Sequence, residues 1–126
     1  VIFEFDIDGT LLTQGSPGKY ETCKPLPGAV KIVNSLYDLG HTIILNTARH
    51  WKYFDLTYNS MKQIGFKFHS LIMGKVNCDV LVDDRAISRL DDLTIEILEK
   101  AVNMRTEREK NIKTRELNEL KKIDWL

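Results

Sequence analysis

Apolar residues in this chain fall into short β-branched runs, separated by longer stretches with spacings of three and four. The first run, Val1 to Phe5, ends abruptly in Asp6, Ile7, Asp8, Gly9 and Thr10. So short a run, closed by a glycine turn signal, predicts a buried strand rather than a helix. Leu11 to Pro27 is rich in Gly, Ser, Thr and Pro around Tyr20, and predicts a hairpin or flap over 11–27 that arches over the strand tip. Pro27 then opens a helix whose apolar face carries Ala29, Val30, Ile32, Val33, Leu36, Tyr37 and Leu39, and Gly40 closes it. Thr42 to Leu45 predicts a second strand, ending in Asn46, Thr47, Ala48, Arg49 and His50.

Trp51 to Ile64 predicts a second helix, with Phe54, Tyr58, Met61 and Ile64 on one side and a stop at Gly65. His69 to Met73 predicts a third strand, followed by Gly74 and Lys75. Asp79 to Val82 predicts a fourth, ending in Asp83, Asp84 and Arg85. This alternation predicts an α/β fold: a mostly parallel, doubly wound, Rossmann-like sheet over residues 1–92. Residues 93–126 read as a charged C-terminal helical extension, with Ile95, Leu98 and Val102 placed to pack on the sheet. Two readings of that helix stand. It is solvated and held by side-chain pairs, or it projects to form a homo-oligomer through Leu117, Leu120, Ile123 and Trp125.

Composition narrows the class. Charged residues make up 29% and hydrophobic ones 43% of 126 residues, and the formal net charge is zero. A dedicated nucleic-acid or membrane-surface binder would show a basic excess, so neither partner is expected. No apolar run approaches the roughly 20 residues that span a bilayer. The chain opens inside a strand with neither an initiator Met nor a signal peptide, so a few upstream residues are expected to be missing. Cys23 and Cys78 are read as free thiols of a cytoplasmic protein, with Cys78 packed beside a strand.

Parallel strands bring their polar ends to one edge of the sheet, where α/β proteins bind ligands. Here that edge would carry Asp6 and Asp8, Thr47, Lys75, then Asp83 and Asp84. Such a set contains what phosphoryl transfer through a covalent intermediate needs: a carboxylate nucleophile, a second carboxylate to move protons, donors for the phosphoryl oxygens and a cation site. Acidic pairs at both ends of the set suit hard Mg²⁺.

From Val1 to Ile87 the chain resembles the haloacid dehalogenase superfamily of phosphohydrolases. FDIDGTL resembles the first motif of that family, IILNT the second, Lys75 in GK the third and LVDD the fourth, in family order. PGAVKIVNSLYDLGHTIILNTAR, KFHSLIMGK and VDDRAIS resemble small capless members associated with capsule and surface-polysaccharide synthesis. The resemblance implies that Asp6 attacks phosphorus, that Asp8 protonates the leaving alkoxide and then activates water, and that Thr47 and Lys75 hold the phosphoryl oxygens. It implies Mg²⁺ on the Asp6 carboxylate, the Asp8 carbonyl and Asp83, with Asp84 direct or through water. Two residues depart from the pattern: Val76 stands where the family often has Pro, and His50 where it often has Gly. The first bears on how Lys75 is aimed, the second on substrate choice. Flap and helix fill the space between the first two motifs, so no cap domain is expected.

Several other residues keep two readings. Arg49 and His50 contact substrate or form a helix-start surface pair. Trp51, Tyr53 and Phe54 stack on a ligand or pack in the core. Lys19 and Tyr20 reach a ligand or form a solvated hairpin tip. Arg85 tunes the acidic pair or balances its charge. His41 and His69, at strand entrances, are read as structural. Three function classes follow: a Mg²⁺-dependent phosphatase of a small phosphorylated metabolite, a non-catalytic binding domain of the same fold, and a phospho-accepting receiver. A receiver carries its paired acids on the first strand and a lone acceptor on the third, where this chain offers Lys75, so motif order favours the phosphatase. Among the enzymes, a phosphotransferase or mutase would need a cap to exclude water, and neutral charge disfavours a polynucleotide end-phosphatase.

Overall fold

The computed structural model describes residues 1–121, less the side chains at 113, 116, 117 and 119–121. The predicted alternation appears as β1 (Ile2–Phe5), α1 (Ala29–Asp38), β2 (Thr42–Asn46), α2 (Phe54–Ile64) and β3 (Ser70–Ile72). Their strands form a parallel three-stranded sheet in the order β1-β2-β3. Ile2 to Phe5 pair with Thr42 to Leu45, and Ile44 to Asn46 with Ser70 to Ile72. Right-handed crossovers in an unreversed order bring both helices to one face. Phe5, Ile43, Leu45, Leu71 and Met73 are buried at alternate strand positions, as are Val33 and Leu36 of α1 and Met61 of α2.

On the opposite face the central strand is half-buried at Ile44 and Asn46, and the flanking strands are more exposed. Ile2 is 51% and Ile72 43% exposed. Asn46 donates to Glu4 there, and its side-chain oxygen has no partner among the described residues. The expected fourth strand is not formed: Val80, Leu81 and Val82 are 77%, 66% and 93% exposed. β-branched residues make a strand only where a neighbouring strand and a packed face receive them, and this run has neither. The described sheet therefore lacks the reversal of strand order that double winding requires. Cys78, expected beside that strand, is exposed with it.

On α2 the buried residues are Thr57 and Met61, with Tyr58 turned outward. Of the expected stripe Met61 is buried and Phe54 and Ile64 are half-buried, so only Tyr58 departs from it. Asn34 of α1 ties the far end of the layer together: its amide donates to the Gly65 carbonyl and its oxygen accepts from the Lys67 N–H, both at 2.8 Å. His69 is structural, its Nδ1 accepting the Ile43 N–H at 3.0 Å while the ring stacks on Tyr37.

Ile2–Asp92 forms one compact unit, and the chain from Leu93 belongs to a second. The second unit is the helix α3 (Ile95–Lys121), whose first turn is capped by Thr94. Ile95 and Val102, expected to pack on the sheet, are 72% and 45% exposed. Leu98, the third residue of that expectation, is half-buried, as are Ile97, Ala101 and Met104. Arg105 pairs with Glu109 one turn on, at 3.2 Å. The side chains of Leu117 and Leu120, and all of Ile123 and Trp125, lie outside the described residues, and with them the proposed oligomer contact. No described helix is long and apolar enough to cross a membrane.

Candidate functional site

The three strands end at one edge, and main-chain bonds carry their pairing past the last strand residues. Thr47 donates to the Ile72 carbonyl, Lys75 to the Thr47 carbonyl and Gly74 to the Arg49 carbonyl, each at 2.9 Å. This lacing fixes the tips of β2 and β3 against each other. It also brings Lys75 across to β1, where its ammonium meets the Asp6 carboxylate at 3.2 Å. Both side chains are about one third exposed (33% and 38%), so the pair faces solvent at the sheet edge. Thr47 lies beneath them, 1% exposed, its hydroxyl oxygen accepting the Arg49 N–H at 3.2 Å. Asp6 and Lys75 thus meet through their side chains, and Lys75 is tied to Thr47 through the main chain.

Beyond Asp6 the chain turns sharply. Gly9 adopts φ 81°, a conformation a Cβ would resist, and the N–H groups of Thr10, Leu11 and Leu12 all point at the Ile7 carbonyl. This turn leaves Asp8 facing inward, its side chain 14% exposed. Arg49 receives it there: Nε donates to Oδ2 at 2.9 Å and Nη2 to Oδ1 at 2.8 Å, a fork on both carboxylate oxygens. Arg49 is 3% exposed, its Nη1 donates to Thr57 Oγ1 at 3.1 Å, and its guanidinium lies 3.9 Å from the centre of the Tyr20 ring. Arg49 is therefore not the surface residue of a helix-start pair, and its guanidinium is held by Asp8 and Thr57.

The flap returns over this pair as an antiparallel arm, with Thr13 donating to the Lys24 carbonyl and Leu26 to the Leu11 carbonyl, each at 2.8 Å. Gly15 lies so close that a Cβ there would stand 2.8 Å from Asp8 Oδ1 and from Tyr20, and 2.7 Å from Cys23 Sγ. Tyr20 is 8% exposed, edge-on to Tyr53, so the flap tip is not solvated at this residue although Lys19 is. Burial, and next to it the charge of Asp8, pushes both the Tyr20 hydroxyl and the Cys23 thiol above their ordinary values. The thiol donates weakly to Asp8 at 3.9 Å. An open cavity of about 180 Å³ lies between flap and α2, lined by Tyr20, Glu21, Arg49, Ser60 and Gln63 among others.

His50 is exposed and caps the 3-10 turn at Trp51–Tyr53, its Nδ1 accepting the Lys52 N–H at 3.0 Å. Trp51 is 58% exposed rather than core, stacked on Phe54, and its indole nitrogen lies 3.0 Å from where a Cβ of Gly74 would be. It therefore borders the edge that holds Lys75. Asp83 and Asp84 sit on the exposed segment after β3, where Asp83 accepts the Arg85 N–H at 2.8 Å. Among the described residues no three His, Cys, Asp or Glu side chains gather as a metal-holding group, so the second acidic pair is not assembled with the first. In kind, the oxygen donors of Asp6, Asp8, Asp83 and Asp84 do suit a hard divalent cation.

Sequence reasoning missed the partners of Asp8. Thr57 gave one signal, a polar residue one turn before Met61 inside an apolar helix face. Tyr20, a lone aromatic in a polar flap, gave another.

No family model matches the sequence, and no curated protein sequence matches it. Among solved structures, the crystal structure of a structural-genomics target from Vibrio cholerae shares the fold, with a TM-score of 0.65 at 18% identity, over 79% of this chain and 94% of that one.

Proposed function

We propose that this chain is a Mg²⁺-dependent phosphomonoesterase of the haloacid dehalogenase kind, acting on a small phosphorylated metabolite such as a sugar phosphate. The observation that carries the reading is the exposed Asp6–Lys75 pair at the carboxyl edge of three parallel strands, with Thr47 below it. A nucleophilic carboxylate next to a mobile ammonium and a hydroxyl donor is the arrangement that phosphoryl transfer uses.

In this reading an oxygen of Asp6 attacks phosphorus, and the bond from phosphorus to the substrate alkoxide breaks as the aspartyl phosphate forms. Lys75 moves from Asp6 to the phosphoryl oxygens, joined by the Thr47 hydroxyl. Asp8 gives its proton to the departing alkoxide, then takes one from the water that cleaves the acyl phosphate. Trp51 at the rim offers an apolar surface to the leaving group.

Asp6, the Asp8 carbonyl, Asp83 and Asp84 would hold Mg²⁺. The ion would supply positive charge against the phosphoryl oxygens. Gathering these four requires the run Asp79–Val82 to lie along the free edge of β1 and complete a doubly wound sheet. The exposed apolar side chains of that run support such a docking.

The test is phosphate release from a panel of phosphosugars, nucleotides and an aryl phosphate, with Mg²⁺ and with chelator. Chelator-sensitive release that Asp6→Asn abolishes is the expected result. Release that survives in that variant removes Asp6 as nucleophile. No release from any substrate, with Mg²⁺ still bound, leaves a ligand-binding domain.

A further inference from the structure

We propose that Arg49 is a positioning residue for Asp8: a buried guanidinium that sets the direction of the Asp8 carboxylate, itself held by Thr57 from below and Tyr20 from above. The proposal rests on the phosphatase reading and deepens it. Arg49 is 3% exposed and, among the described residues, makes no bond to Asp6, so its guanidinium is committed to Asp8. Its side-chain nitrogens are spent on Asp8, on Thr57 and weakly, at 4.0 Å, on Cys23 Sγ, and its plane lies over one ring face, Tyr20.

The fork matters because of what it leaves free. A carboxylate has about four lone-pair directions, and Arg49 occupies one on each oxygen of Asp8. The remaining ones point away from Arg49, which restricts where Asp8 can hold or accept a proton. Free rotation about its side-chain bonds would spread those directions over the turn that Gly9 makes. A planar, bidentate donor removes that freedom, and a lysine at the same place would not. Thr57 and Tyr20 in turn fix the plane of the guanidinium, so two residues with no contact to a substrate help to set the aim of the proton donor.

The experiment compares two substrates whose leaving groups differ in their need for a proton. An alkyl phosphate must have its alkoxide protonated as it departs, whereas p-nitrophenolate leaves unaided. The ratio kcat/KM reports the steps through alcohol release and so isolates that demand. In the full chain with Mg²⁺, Arg49→Lys is expected to lower kcat/KM for the alkyl phosphate by about 10²-fold, and for p-nitrophenyl phosphate by no more than about threefold. Thr57→Val and Tyr20→Leu should show the same contrast in smaller degree, and Tyr20→Phe, which keeps the ring, should lose less than Tyr20→Leu. If Arg49→Lys does not fold, these variants decide, since they leave the buried ion pair intact.

Equal losses on both substrates, or a rise in KM alone, would make Arg49 a structural residue or a substrate ligand and overturn the proposal. Wild-type protein that releases phosphate from neither substrate removes the phosphatase reading, and this proposal with it.

Discussion

Two stretches of this chain follow the same pattern, a short apolar run closed by two acids, and reach opposite ends. Val1 to Asp8 contributes β1 and sends Phe5 and Ile7 into the core. Asp79 to Asp84 stays exposed along its length. Their acids differ as much: Asp8 is gripped on both oxygens by a buried guanidinium, while Asp83 accepts from the main chain of its own turn. The comparison teaches that the pattern describes a capacity to pair. A strand results when a neighbour such as β2 offers a matching register and the inward side chains meet a helix layer.

The sharpest way to break that contrast is to truncate one apolar residue in each region. Leu45 is fully buried between sheet and helices, and Leu45→Ala should cost about 2–5 kcal/mol, from the lost transfer energy and the cavity left behind. Leu81 is 66% exposed, and Leu81→Ala in metal-free protein should change stability by no more than about 0.5 kcal/mol. Urea unfolding of both variants without divalent cation measures the two. Equal costs would mean that the two runs are equally packed, and the distinction between them would fall.

How far the site could be read from sequence follows the same division. Asp6, Thr47 and Lys75 were legible because each ends an apolar run, and parallel strands bring run ends together whatever else the fold does. The partnership of Asp8 with Arg49 was not. These residues lie 41 positions apart, and an arginine just before a helix reads like any surface residue until the turn at Gly9 aims a carboxylate at it. Tyr20 stood out in the polar flap, but one aromatic carries no periodicity to say which residue it covers. The exposed state of Val80–Val82 was equally illegible, because it depends on the edge those residues lack and not on the residues.

A second prediction sharpens the comparison by asking whether a cation changes it. If Mg²⁺ draws Asp83 and Asp84 toward Asp6, the run before them is carried to the edge of β1. The amides of Val80, Leu81 and Val82 should then exchange with solvent at least about tenfold more slowly in Mg²⁺ than in chelator, while those of β2 hardly change. Exchange at the same rate in both would remove Asp83 and Asp84 from the metal site.

The smallest expected effect compares the two cysteines, one in each region. Cys78 is exposed on the same segment as Asp83, whereas Cys23 is half-buried under the flap beside Asp8. Only the thiolate reacts with an alkylating reagent. Burial, and after it the negative charge of Asp8, raises the Cys23 thiol above its ordinary value and so keeps it protonated near neutral pH. Iodoacetamide should therefore label Cys78 several-fold faster than Cys23, as followed by peptide mass. The sign of the pH dependence is set by the same shift: as pH climbs past the ordinary thiol range, the Cys23 thiolate appears and the gap narrows. A neutral thiol is also what the folded flap favours, so its contribution to stability is complete below that range and fades above it. Gly15→Ala, which crowds Cys23, Tyr20 and Asp8 at once, should close the gap at neutral pH by lifting the flap. Equal labelling of both cysteines in the unaltered protein would mean that the flap does not cover Asp8, and the two regions would then differ in their strands but not in their acids.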